Sequence, residues 1–241
     1  MKAEPRGSLQ RAPVGSAAEH VGRWLRRWIS AAPCTHVYVL ILLVTTAIVR
    51  SLHPVLATEL LRQTSTNLSQ MGTAAARVLF LSAFLLNGGR WAVELMVFGA
   101  LSVLLERWAG SWRWFVVVVA GHVGATLVTT IGIWAAVRSN RDAVQLARSI
   151  DVGVSYGLYS AAAFLTFGLA RRSLRVGARV ALVSMLGVAL VREQSFTNAG
   201  HVAAICIGAA TYVLLAPGLS RRPPFPPRRT ASQTHCPDTA P

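Results

Sequence analysis

HVYVLILLVTTAIV, residues 36–49, runs for fourteen residues without an Asp, Glu, Lys or Arg, with Thr35 before it and Arg50 closing it. Inside hydrocarbon the backbone has no water to bond to, so a crossing segment must satisfy its own N–H and C=O groups, which a helix of about 20 apolar residues does. Residues 36–49 therefore predict a first membrane helix. Five more runs of the same character follow, at 90–108, 114–137, 152–170, 174–191 and 199–216. The expected fold is all-α, a polytopic bundle of six transmembrane helices over 34–217, with a cytoplasmic segment at 1–33 and a tail at 218–241. Between the first two runs, 51–89 offers only a short apolar stretch at 78–86 and predicts a re-entrant or interfacial loop. Glu94 lies inside the second run and Arg179 near the start of the fifth. An ionisable group at such depth is costly unless it is paired or faces a polar cavity.

The composition agrees: 53% of the 241 residues are hydrophobic and 14% charged, and the apolar residues come in runs instead of the alternating faces of a soluble domain. A net charge of +15 raises nucleic acid as a partner. The basic residues, however, sit at helix ends and in short loops and form no single stripe, so nucleic acid is not expected. They follow the positive-inside pattern. Arg23, Arg26 and Arg27 precede the first run, Arg107 and Arg113 flank the turn after the second, and Arg171, Arg172 and Arg175 lie between the fourth and fifth. Arg221, Arg222, Arg228 and Arg229 follow the sixth. Both termini are expected in the cytoplasm, although Arg62, Arg77, Arg138, Arg141 and Arg148 fall on the outer side. Trp24, Trp28, Trp108, Trp112 and Trp114 fit an inner interfacial belt, Trp91 and Trp134 an outer one. Lys2 is the only lysine among many arginines, the bias of a GC-rich genome, which points to a bacterial plasma membrane.

The ends offer no chemistry. In 21–29, Trp24, Leu25, Trp28 and Ile29 fall on one helical face and Arg23, Arg26 and Arg27 on the other, the pattern of a helix lying on an anionic leaflet. Residues 221–241 are too rich in proline and too poor in apolar residues to be expected to fold. Cys34, Cys206 and Cys236 have neither CxxC nor Cys/His spacing and read as free thiols. The apolar run at 36–49 starts too late and is too long for a cleavable signal peptide.

The second, fourth and sixth runs share a direction, outside to inside, so residues early in each lie at one depth. That set is Arg90, Glu94, Ser155, Tyr159 and His201. A serine and a histidine brought together there form a possible nucleophile and general base. Gly153, Gly157 and Ala161 make a small-xxx-small ridge on the fourth run, and Ala204 and Gly208 follow His201 on its own face, which favours close approach. Serine and glycine are also ordinary packing residues of membrane helices, and one histidine can be an interhelical donor. His122, in Ala120-Gly121-His122-Val123-Gly124, falls near mid-membrane and reads as a packed, bonded group. Asp151 reads as an N-terminal dipole partner of the fourth run.

At these residues the sequence resembles the rhomboid family of intramembrane serine proteases, over about 78–216. Gly153-Val154-Ser155 is similar to the family's G-x-S-G, with Tyr156 in place of the second glycine. Tyr159 stands at the aromatic position that packs on the family's catalytic histidine. Gly200-His201-Val202-Ala203-Ala204 followed by Gly208 is similar to A-H-x-x-G-x-x-x-G, and Glu106-Arg107-Trp108-Ala109-Gly110 to the end of the family's second helix. The resemblance implies a Ser155–His201 dyad that cuts transmembrane protein substrates in the lipid bilayer, near its outer face, with no metal or other cofactor. It departs at the oxyanion site. Where the family carries H-x-x-x-N, this chain has Arg90 and Glu94. An ionised glutamate opposes an oxyanion, and losing one oxyanion donor slows acyl transfer by about 100- to 1000-fold. Arg90 and Glu94, one turn apart, are expected instead to pair; a contact from Glu94 to His201 is the other possibility. An inactive relative that binds transmembrane segments is the alternative to the protease, and a solute relay through Arg90, Glu94 and His122 is a third class, which lacks a convincing hydropathy repeat.

Overall fold

The computed structural model describes residues 15–86, 88–139, 151–152, 154–192 and 195–219. These residues form helices joined by short turns, with no strand among them. In order they are α1 (Gly15–Ser30), α2 (Pro33–Ser51), α3 (Pro54–Thr64), α4 (Leu68–Ser82), α5 (Trp91–Ala109), α6 (Ser111–Ser139), α7 (Ser155–Gly168), α8 (Arg172–Arg192) and α9 (Phe196–Leu215). The tail at 221–241 lies outside the described residues, as do Arg141, Arg148 and Cys236.

All six predicted runs are helices, with ends displaced by a few residues. Four of them, α2, α6, α8 and α9, are long and apolar enough to cross a membrane, which makes this a multi-pass membrane protein. The other two are less regular. α5 carries Glu94, Glu106 and Arg107 within its 19 residues, and α7 has 14 residues, about 21 Å at 1.5 Å per residue.

Residues 51–89 are more ordered than a loop. Pro54 opens α3 at a position where a missing N–H costs nothing. The Asn67 side chain accepts the Gln70 N–H at 3.0 Å and so caps α4. At Ala74 the backbone leaves helical geometry, and α4 kinks. Its end turns inward: the Tyr38 hydroxyl donates to the Ala83 carbonyl, and the Thr45 hydroxyl to that of Phe84 at 2.6 Å. Tyr38 and Thr45 lie within α2, so the end of this segment packs along that helix. His122 meets it there, with Nε2 3.2 Å from Ser82 Oγ and 3.1 Å from the Leu79 carbonyl. His122 is thus a packed, bonded group.

The core is α6, α7 and α9, with α5 against α7 and α2 behind it. Glycine makes the closest approaches possible. A Cβ on Gly208 would strike the Ser160 backbone, one on Gly121 the Ser160 side chain, and one on Gly200 the Tyr156 ring at 2.5–2.6 Å. Gly157 serves a different neighbour from Gly208: its face meets Val118 on α6. At the far end Trp108, Phe164, Phe167 and Tyr212 stack between α5, α7 and α9. The α5–α6 turn depends on Gly110, whose φ of +88° suits a residue without Cβ. Beside it the Glu106 carboxylate accepts the N–H groups of Cys34 at 3.0 Å and Thr35 at 2.7 Å and the Ser111 hydroxyl at 2.6 Å. An anion on the free N–H groups of α2 is a stable end for that helix.

Candidate functional site

Ser155 is the first residue of α7, half-buried, preceded by Val154 as N-cap without a capping side chain. Its N–H is among those an α-helix leaves unbonded at its start. Tyr159 comes one turn later, on the same side. His201 belongs to the second turn of α9, and the closeness of α7 and α9 around Gly200, Ala204 and Gly208 brings its ring to the tyrosines of α7. Tyr159 lies over it with ring centroids 4.2 Å apart and planes 30° apart. Tyr156 meets it edge-on at 5.5 Å and 69°. Both imidazole nitrogens are buried and have no hydrogen-bond partner among the described residues, so no bond joins His201 to Ser155 or to Glu94.

Gly153 lies outside the described residues. Arg90 is exposed at the N-cap of α5, and Glu94 is half-buried on its first turn. The expected pair between them is not formed: among the described residues, ion pairs join Arg23 to Glu19 and Arg62 to Glu59. Arg90 is free to bend into water, where an exposed pair gains little.

Asp151 also differs from its expected role. Its carboxylate does not cap α7; it accepts the Tyr156 hydroxyl at 2.8 Å and the Thr66 hydroxyl at 3.2 Å. Burial pushes this carboxyl above the usual carboxylate range, against the pull of the Tyr156, Thr66 and Thr197 hydroxyls and of His122. The sequence held one signal of this: a tyrosine where the resemblance expects glycine, facing a glycine, Gly200, that stands just before the histidine.

A half-buried serine at a helix N-terminus and an unbonded histidine packed by aromatic rings are residue types suited to acyl chemistry and proton transfer. The described residues contain no group of three His, Cys, Asp or Glu side chains arranged to hold a metal. In comparison with known proteins, a family model described as "Rhomboid-like protein" matches residues 27–220, most of the chain. No curated protein and no solved structure gives a match.

Proposed function

The chain belongs to the rhomboid-like family, and from that premise we propose that it is an intramembrane serine protease acting on membrane-anchored proteins through Ser155 and His201. One observation carries the reading. His201 is packed 4.2 Å from Tyr159, one turn after Ser155, while neither of its ring nitrogens is committed to another residue. A base held by stacking alone is available to a serine, and catalytic hydrogen bonds commonly tighten only when substrate is bound.

In this mechanism His201 takes the Ser155 proton as Oγ bonds to the scissile carbonyl carbon. The carbonyl oxygen becomes an oxyanion, and the Ser155 N–H at the start of α7 donates to it. Collapse breaks the C–N bond, and His201 returns its proton to the leaving amine. Water, deprotonated by His201, then releases the acyl group from Ser155. The residues require no cofactor for these steps. Arg90 and Glu94 bear on the oxyanion: the arginine is a charged donor at the start of α5, and the glutamate must be neutral or turned away for the rate to be high. The reading includes six crossings, with α5 and α7 as the two less regular ones, in a bacterial plasma membrane. Both termini are cytoplasmic and the site is near the outer face, where water enters.

A second reading has its own support. The absent Ser155–His201 bond and the replaced oxyanion residues favour a pseudoprotease that binds transmembrane segments without cutting them. Fluorophosphonate labelling of the purified protein in detergent separates the two. The protease labels, and Ser155→Ala and His201→Ala both abolish labelling; a folded wild type that never labels favours the pseudoprotease.

A further inference from the structure

The polar groups next to the site that the Ser155–His201 chemistry leaves unused converge on Asp151. Its N–H donates to Ser65 Oγ at 2.7 Å, and its carbonyl accepts the N–H and the hydroxyl of Thr66, each at 2.9 Å. The turn between α3 and α4 therefore holds the Asp151 backbone on both sides. The carboxylate in turn holds Tyr156 by its hydroxyl, at 2.8 Å. Tyr156 is almost fully buried, and its ring fills the space that a side chain on Gly200 would occupy. Its edge rests on His201.

From this chain of contacts we infer that Asp151 is a positioning residue: it fixes the Tyr156 ring, and the ring sets the orientation of the His201 imidazole. With no bond to either nitrogen, packing alone orients that ring. The imidazole turns about its Cβ–Cγ bond, which swings the ring plane, and Tyr159, tilted 30° from that plane, and Tyr156, 69° from it, both crowd the turn. A hydrogen bond to a carboxylate is stronger and stiffer than one between neutral groups, so it holds the phenol in place. In a serine–histidine–aspartate triad the acid bonds the imidazole directly; here the carboxylate acts through one intervening ring. The arrangement depends on Tyr156, the residue at which this chain departs from the G-x-S-G pattern. Its effect on rate rests on the protease reading; its effect on His201 does not.

The test uses the full-length protein in detergent and two separate readouts. The first is the His201 ring resonances in protein carrying 15N-histidine, assigned with His201→Gln. The second is the rate of fluorophosphonate labelling as a function of pH. Tyr156→Phe keeps the ring and removes only its hydroxyl, and Asp151→Asn keeps the shape and removes the charge. Both are expected to move the His201 resonances, to slow labelling by about 10- to 100-fold as outer-shell changes do, and to alter its pH profile, with thermal midpoints close to wild type. Because the links act in series, the double variant is expected to be no slower than the worse single one. Should Asp151→Asn not fold, Tyr156→Phe decides alone. Unmoved His201 resonances in a folded Tyr156→Phe overturn the inference whatever the labelling does. Moved resonances in a protein that never labels leave the inference standing and remove the protease.

Discussion

α8 and α9 are neighbours in sequence, 21 and 20 residues long, and each is apolar enough to cross a membrane, yet 28% of the apolar stretch of α9 is buried and 6% of that of α8. α9 presents Gly200, Ala204 and Gly208 at four-residue intervals: Gly208 lies against the Ser160 backbone of α7, Gly200 against the Tyr156 ring, and Ala204 is fully buried. α8 carries Gly177 and Gly187 too, but a Cβ on either would meet nothing within 4 Å. Between α8 and its neighbours α5 and α7 lies an apolar cleft of about 340 Å³, walled by Leu101, Leu165, Leu182 and Met185. Lipid tails are as apolar as leucine, so a membrane helix gains nothing merely by leaving them, and steric fit with interhelical hydrogen bonds decides which helices pack. Apolarity puts both helices in the bilayer. Small residues on the facing side put one of them in the core.

The sharpest way to break this comparison is to place the same side chain on both helices. Gly208→Leu drives a branched chain into the Ser160 backbone, which cannot retreat without moving α7. The expected cost is at least the roughly 1–3 kcal/mol of overpacking, with loss of the folded detergent-stable form and of any Ser155 labelling. Gly187→Leu points into open space and is expected to leave the thermal midpoint nearly unchanged. Equal losses in the two variants would show that α8 is part of the core. Ser160→Ala sharpens the comparison with a smaller change. It removes the 2.9 Å bond from the Ser160 hydroxyl to the Val117 carbonyl without adding bulk. Such interhelical bonds average about 0.6 kcal/mol in membranes, so a small drop in midpoint is expected, measured under the same conditions.

Much of this was legible in the sequence. The six runs became helices because long apolar stretches favour a self-bonded backbone, four of them long and apolar enough to cross a membrane, and Ser155, Tyr159 and His201 came to one end of α7 and α9 because helical direction and small-residue spacing are local properties. What was hidden depended on contacts between distant segments. The α3–α4 region read as a loop because its caps, Pro54 and Asn67, lie outside apolar runs. Gly157 and Gly208 looked like one interface, although they face α6 and α7 respectively. Asp151 looked like a helix cap because nothing in its neighbourhood announces Thr66, 85 residues away. The expected Arg90–Glu94 pair failed for a different reason: spacing permits such a pair, but exposed Arg90 has water as an equal partner.

A further modest effect lies on α8 itself. Arg179 sets its guanidinium 3.9 Å from the Phe167 ring, the closest cation–ring contact among the described residues. Its Nε is buried without a hydrogen-bond partner. This is one of few specific links between α8 and the end of α7, and away from bulk water such a contact is worth about 0.5–2 kcal/mol. Arg179→Met keeps a long flexible chain over the ring and removes the charge. A modest fall in midpoint is expected, well short of that in Gly208→Leu, together with faster modification of a cysteine placed at Leu182 by an apolar maleimide, because α8 separates more often from the cleft wall. An unchanged midpoint and unchanged modification would mean that lipid, not Arg179, keeps α8 beside the bundle, and the contrast with α9 would then be greater than the contacts imply.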